Sequence, residues 1–427
     1  MSFILKGNVC YSKTARELET VENAYLVCED GISKGVYNNI PDKYSSLPVT
    51  DYGDNIIIPG LCDLHVHAPQ YRYRGLGMNL ELLDWLNTYT FPEESKYKDL
   101  SYADIVYNAF VADLKTSATT RASILATLHT PATLRLMEKL EATGLVTFVG
   151  KVNMDRNSPP ILCEESPIKA YEDTKAWIEE ATGKFKNTLP VITPRFVPSC
   201  TAELMASLGE LRKKYRLPVQ SHLSENQREI EWVKELHPGC ESYGHVYHSF
   251  GLFGGDDSPT VMAHCVWPND KEEELLKAQG VYVAHCPQSN VNLASGIAPI
   301  RRYLRNGIRV GLGSDVAGGC HLSIFRAMSD AIQSSKFYWR LVDQKDEPLS
   351  EKEAFYLGTL GGGAFFGKAG SFDEGYEFDA VVIDDSPLVP RHAPYEKLPL
   401  DSRLARIIYF SSDCNLRGKY VRGKRIT

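Results

Sequence analysis

Pro59-Gly60-Leu61-Cys62-Asp63-Leu64-His65-Val66-His67 is the stretch on which the fold turns. A Pro-Gly break precedes an apolar run that closes on two histidines one residue apart, which reads as a strand ending in chemistry. In a strand, residues i and i+2 share a face, so both imidazoles can be aimed at one ion. With 11 histidines in 427 residues, about 0.3 such pairs arise by chance, so the pair has weight only in context.

Downstream of Gly60, short apolar segments alternate with amphipathic stretches of helical period, the pattern of parallel strands joined by crossover helices. Strands are expected at 61–67, 121–128, 146–152, 191–197, 218–222, 260–264, 281–285 and 308–315. Eight such units predict an α/β chain wound as a (β/α)8 TIM barrel. Thr130-Pro131 predicts a helix start, with Thr130 as the cap and Pro131 first in the helix, and Ser350 to Glu353 predicts a capping box. Upstream, residues 1–58 read as short strands and turns that close on Ile56-Ile57-Ile58. After Gly361-Gly362-Gly363, strand-like pieces return over 378–383, 405–409 and 420–426, around a Pro-bearing loop at 387–399. Residues 1–58 and 366–427 are expected to join as a small β-sandwich domain beside a barrel of residues 59–365. No internal repeat interrupts this plan.

Composition narrows the partners. The apolar fraction is 43% and the charged fraction 24%, which suits a soluble protein with a substantial core. A net charge of -7 without a dense Lys/Arg block points away from nucleic acid and anionic membranes and toward a neutral small molecule. Residues 1–9 carry no signal-peptide pattern and no apolar run reaches the ~18 residues of a membrane span, so a cytoplasmic protein is expected. Ten cysteines include no CxxC, and the nearest pair is Cys10 and Cys28. Reduced core residues are therefore expected rather than disulfides or a zinc knuckle.

His222, His264, His285 and Asp315 each end a separate expected strand, on the face where barrel enzymes build their sites. Several imidazoles with one carboxylate suit zinc, with Fe2+ second, better than calcium or magnesium. A catalytic zinc with an open position lowers the pKa of water to about 7, which makes hydroxide available at neutral pH. Glu225, three residues past His222 and at the start of an expected helix, is the candidate proton carrier; the competing reading is a first-turn carboxylate that complements the helix dipole. Asp315 closes Val310-Gly311-Leu312-Gly313-Ser314-Asp315 as ligand and second proton relay, against the alternative of an N-cap. His285, opening His285-Cys286-Pro287-Gln288-Ser289-Asn290, is placed to hydrogen-bond water rather than to ligate. Lys151 is expected to be a solvated side chain, and His129, His237, His245, His248, His321 and His392 carry no role.

Together these segments resemble the amidohydrolase superfamily, residues 59–67 looking like its opening signature. Within it the resemblance narrows to the guanine deaminases and covers nearly the whole chain. It runs through His67-Ala68-Pro69-Gln70-Tyr71, Leu82-Leu83-Asp84-Trp85-Leu86, Tyr89-Thr90-Phe91-Pro92, Thr193-Pro194-Arg195-Phe196, and residues 220–225, 285–290 and 311–319. The resemblance implies His65, His67, His222, His264 and Asp315 as ligands of one Zn2+ per chain, Glu225 as proton shuttle and His285 as the group that orients water. On the substrate side it implies Gln70 and Arg195 as hydrogen-bonding partners of a purine ring. Phe196, Leu83 and Trp85 would be the walls, with His222 also touching the substrate.

The reaction so implied converts guanine to xanthine and ammonia, in a homodimer. The alternatives are another amino-heterocycle, such as 8-oxoguanine, a pterin or a triazine, and a non-catalytic scaffold, which the complete ligand set disfavours. Some relatives bridge two metals through a lysine ending the fourth strand. Here that strand ends near Pro194-Arg195-Phe196, which implies one metal. One departure stands out: Ala263-His264-Cys265, where relatives often have glycine after the histidine.

Overall fold

In the computed structural model, residues 2–254, 258–389, 398–410 and 415–427 are described. Eight parallel strands follow one another: Leu61–His67, Thr119–Leu125, Val146–Gly150, Thr188–Pro190, Val219–Leu223, Thr260–His264, Tyr282–His285 and Arg309–Leu312. The first four pair in chain order, the last four likewise, and a parallel bridge between Ile192 and Val219 links the two runs. The eighth strand's end meets the first, since Asp315 N–H donates to His65 O at 2.8 Å and His67 N–H to Val316 O at 3.0 Å. This is the (β/α)8 arrangement. Every residue of Leu61–His67 and Thr119–Leu125 is buried, as expected of parallel strands covered on both faces. A Cβ on Gly313 would lie 2.9 Å from that of His65, so glycine is what allows the last strand to lie against the first.

The crossover helices bury one stripe each. Leu100–Thr116 turns Ala103, Val106, Tyr107, Phe110, Val111 and Leu114 inward, the i, i+3, i+4, i+7 spacing of a one-sided helix, and Asp99 caps it by accepting Ser101 N–H. Ser350 and Glu353 form the expected capping box. Thr130 is the first helical residue of Thr130–Glu141 rather than its cap, a place taken by His129. The expected strand 191–197 is instead split into Thr188–Pro190 and Thr193–Pro194, the latter paired with Val152–Asn153. Pro190 and Pro194 bring no N–H to a ladder, which is where the strand breaks.

The chain ends build one separate seven-stranded sheet from Phe3–Ser12, Leu18–Glu29, Ile32–Tyr37, Val49–Pro59, Ala380–Ile383, Leu416–Val421 and Lys424–Arg425. The expected strand at 405–409 is a helix, Leu400–Phe410. Its apolar residues Leu400, Leu404, Ile407 and Ile408 recur with period near 3.6 and pack inward, a pattern that a five-residue window hides. Much of the loop 387–399, and His392 with it, lies outside the described residues. Arg121, buried in the second barrel strand, donates to Asp379 at 2.6 Å and Glu377 at 2.5 Å, which ties the barrel to the sheet. Among the described residues no helix is long and apolar enough to cross a membrane, and the nine described cysteines are free.

Candidate active site

Five side chains from four places in the chain meet at the C-terminal mouth of the barrel. His65 and His67 end the first strand, His222 comes from the fifth, His264 ends the sixth, and Asp315 follows the eighth. The Nε2 atoms of His65 and His67 are 3.1 Å apart, and those of His67 and His222 3.2 Å. Asp315 Oδ1 lies 3.2 Å from His65 Nε2 and 3.5 Å from His67 Nε2, while its Oδ2 lies 3.7 Å from His264 Nε2. His264 (φ 75°) and Asp315 (φ 45°) hold left-handed backbone, at a cost of about 1–3 kcal/mol each that the packing around them must offset. Cys265 is left-handed too (φ 46°), which gives a physical reason why a glycine would sit easily after the histidine.

The outer nitrogens of two rings are engaged. His222 Nδ1–H donates to Arg195 O at 2.6 Å and His264 Nδ1–H to Asn290 Oδ1 at 2.9 Å. With the proton on Nδ1, each ring turns its Nε2 lone pair toward the cluster. Burial first, and the neighbouring His65 second, push His67 and His222 well below the ordinary imidazole range, so both are neutral. Burial alone would raise the Asp315 carboxyl; the imidazoles facing it, His65 foremost and then His264 and His67, bring it below the usual carboxylate range instead. Converging lone pairs beside a carboxylate repel one another unless a cation lies between them. This donor set fits a borderline divalent metal.

Glu225 Oε2 stands 3.4 Å from His264 Nε2, and its Oε1 accepts the Ser295 hydroxyl at 3.3 Å. The carboxylate is not spent on the adjoining helix Gln227–Leu236, whose N-terminus is satisfied by a capping box of Asn226 and Glu229. Burial, and then the charge of Asp315, push the Glu225 carboxyl well above its usual range. Glu229 accepts the N–H of Glu225 at 3.1 Å and the Tyr243 hydroxyl at 2.8 Å, and burial with the charge of Glu225 pushes it up to about 7. His285 ends its strand fully buried and does not line the cavity; its Nδ1 has no partner among the described residues. Burial pushes this imidazole down to about 3, which keeps it neutral.

A small cavity opens over the cluster, with His67, His222, His264, Asp315, Glu225 and Glu229 around its floor. Gln70, Arg195, Phe196 and Trp85 line it, as the sequence suggests. Leu83 does not; Leu82 and Leu86 take that place, because in a helical turn residues 82, 85 and 86 share a face and 83 points away. Glu94, unassigned by sequence, joins two of the wall residues: Gln70 Nε2 donates to Oε1 at 3.0 Å and Arg195 Nη1 to Oε2 at 2.5 Å. Asp63 is a second omission. It accepts Ser314 N–H at 3.0 Å and His65 N–H at 3.2 Å, bracing the strands that carry ligands. Lys151 is buried rather than solvated and is paired with Glu164. His321 is exposed and lines no part of the cavity.

Compared with known proteins, residues 56–426 match the amidohydrolase family. The chain is 38% identical to guanine deaminase of Dictyostelium discoideum, over 99% of this chain and 98% of that protein. It is 33% identical to guanine deaminase of Escherichia coli strain K12, over 96% and 93%. A solved structure of guanine deaminase from C. acetobutylicum, with guanine bound in its active site, is similar with a TM-score of 0.95 and 48% identity, covering 100% of each chain.

Proposed function

The chain belongs to the amidohydrolase family, and on that premise we propose that it deaminates guanine hydrolytically, water and guanine giving xanthine and ammonia. One observation carries the reading: a single cavity brings the donor-rich wall of Arg195 and Gln70 over the imidazole–carboxylate cluster, with Glu225 beside it. A divalent cation held by His65, His67, His222, His264 and Asp315, one Zn2+ per chain with Fe2+ as the alternative, would lower the pKa of water to about 7 and so supply a nucleophile at neutral pH.

The remaining work falls to side chains. Ser295 holds Glu225 Oε1, which leaves Oε2 to carry a proton to the ring nitrogen beside the attacked carbon. Asp315, kept ionised, is a second acceptor, and neutral His285, beside His264 but without a face on the cavity, takes the water-orienting role on the family resemblance alone. The Arg195 guanidinium donates to the ring carbonyl, and Gln70 holds the neighbouring edge. Phe196 and Trp85 flank a flat ligand, with His222 touching it from below. The reading includes a homodimer. It is supported by an apolar surface where Val291 and Phe337 line one cleft and Leu341 and Val342 stand exposed nearby.

The test is ammonia release from guanine, 8-oxoguanine, a pterin and a triazine by protein of measured metal content. Guanine is expected to be turned over best, with one equivalent of metal bound. Faster turnover of another ring would move the substrate assignment, and ammonia release by metal-free protein would end the ligand assignment.

A further inference from the structure

Glu94 lies behind the cavity wall, 2% exposed and without a face on the cavity itself. Its two carboxylate oxygens divide between the two wall residues, Oε1 receiving Gln70 Nε2 at 3.0 Å and Oε2 receiving Arg195 Nη1 at 2.5 Å. On the other side of the amide, Ala317 N–H donates to Gln70 Oε1 at 3.2 Å. We infer that Glu94 is a positioning residue that makes the wall present donors only, and so selects a purine with a carbonyl oxygen at C6 over one with an amine there. The inference rests on the guanine reading above.

The amide of Gln70 can sit only one way. A half-turn would set its carbonyl against a carboxylate and its NH2 against a main-chain N–H, two repulsive contacts at once. Fixed as it is, Gln70 has an N–H left to offer, and Arg195 has nothing but N–H groups. A ring edge bearing acceptors satisfies both residues, whereas an exocyclic amine would face donors with a donor and leave buried groups unpaired. The carboxylate also balances the charge of a guanidinium that is 3% exposed. Arg195 can then hold a neutral carbonyl without recruiting an anion. Phe91, in the same segment as Glu94, lies with its ring 5.4 Å from the guanidinium, so this segment fixes Arg195 from two sides.

Guanine and 2,6-diaminopurine carry the same amine at C2 and differ at C6, so their comparison isolates this edge. Kinetic constants for both are measured with wild type, Glu94→Gln, Gln70→Ala and the double variant, alongside bound metal. In Glu94→Gln, KM for guanine is expected to rise about 10-fold with a smaller fall in kcat, and the preference for guanine to narrow by about 10-fold. Bound metal should be unchanged, and the double variant should lose less than the product of the single losses. If Glu94→Gln does not fold, Glu94→Asp, which keeps the charge and shortens the reach, is read the same way. Guanine KM and preference within about twofold of wild type, or fully multiplicative losses, would overturn the role of Glu94. Wild-type protein that releases no ammonia from guanine would instead overturn the substrate reading.

Discussion

The main-chain carbonyl of Arg195 accepts the Nδ1 proton of His222 at 2.6 Å, while the Arg195 side chain faces the cavity. One residue thereby orients a candidate metal ligand with its backbone and a candidate substrate with its guanidinium. The two functions separate cleanly by mutation, because a side-chain change leaves the carbonyl in place. Arg195→Lys should retain its metal and raise KM for guanine about 10–100-fold, the loss of one or two charge-assisted hydrogen bonds. Metal analysis beside steady-state kinetics decides it; loss of metal would mean that the side chain also holds His222.

Glu225→Gln keeps size and polarity but cannot shuttle a proton. Metal content and inhibitor binding should persist while kcat falls at least about 10²-fold. Near-normal turnover would remove Glu225 from the mechanism.

The neighbours Leu82 and Leu83 make a paired control for the cavity wall. Leu82→Ala empties part of a buried wall and should cost about 2–5 kcal/mol of stability, with a raised KM. Leu83→Ala should leave KM for guanine unchanged. The reverse pattern would mean that the wall is misassigned.

Glu229 supplies a pH signature. Burial and the charge of Glu225 push its carboxyl from 4.5 up to about 7, so between those values the folded protein keeps a proton that the unfolded chain has lost. Stability from this group therefore falls as pH rises from about 4.5 to about 7. In Glu229→Gln that slope should be missing. Urea unfolding of both proteins across the window measures it, and parallel curves would refute the assignment.

The barrel was legible because its strands end in chemistry: His65, His222, His264 and Asp315 mark the same end of four strands, and apolar runs between helical patterns supply the rest. The fourth strand departs from the expected 191–197 where Pro190 and Pro194 interrupt pairing, a tertiary effect that an apolar run does not reveal. Leu400–Phe410 is a helix rather than the expected strand at 405–409 because a short apolar window fits either period. Glu94, Glu229 and Asp63 escaped for a common reason. Each is a carboxylate whose partners are distant in sequence or are backbone N–H groups, and nothing local distinguishes it from a solvated acid. Lys151 is buried for a similar reason, since its partner Glu164 arrives from the next loop.

The sheet shared by the two chain ends sets an order on biosynthesis. Val49–Pro59 pairs on one side with Phe3–Ser12 and on the other with Ala380–Ile383, a strand translated roughly 320 residues later. At ~5–20 residues per second, a nascent chain carries that open edge for roughly 15–60 s before its partner leaves the ribosome. Arg121 waits for Asp379 through roughly 260 residues of further synthesis, about 13–50 s at the same rate. The amino-terminal strands are thus the part of this protein most in need of chaperone shelter during translation, and stalled or prematurely terminated chains are the ones expected to aggregate.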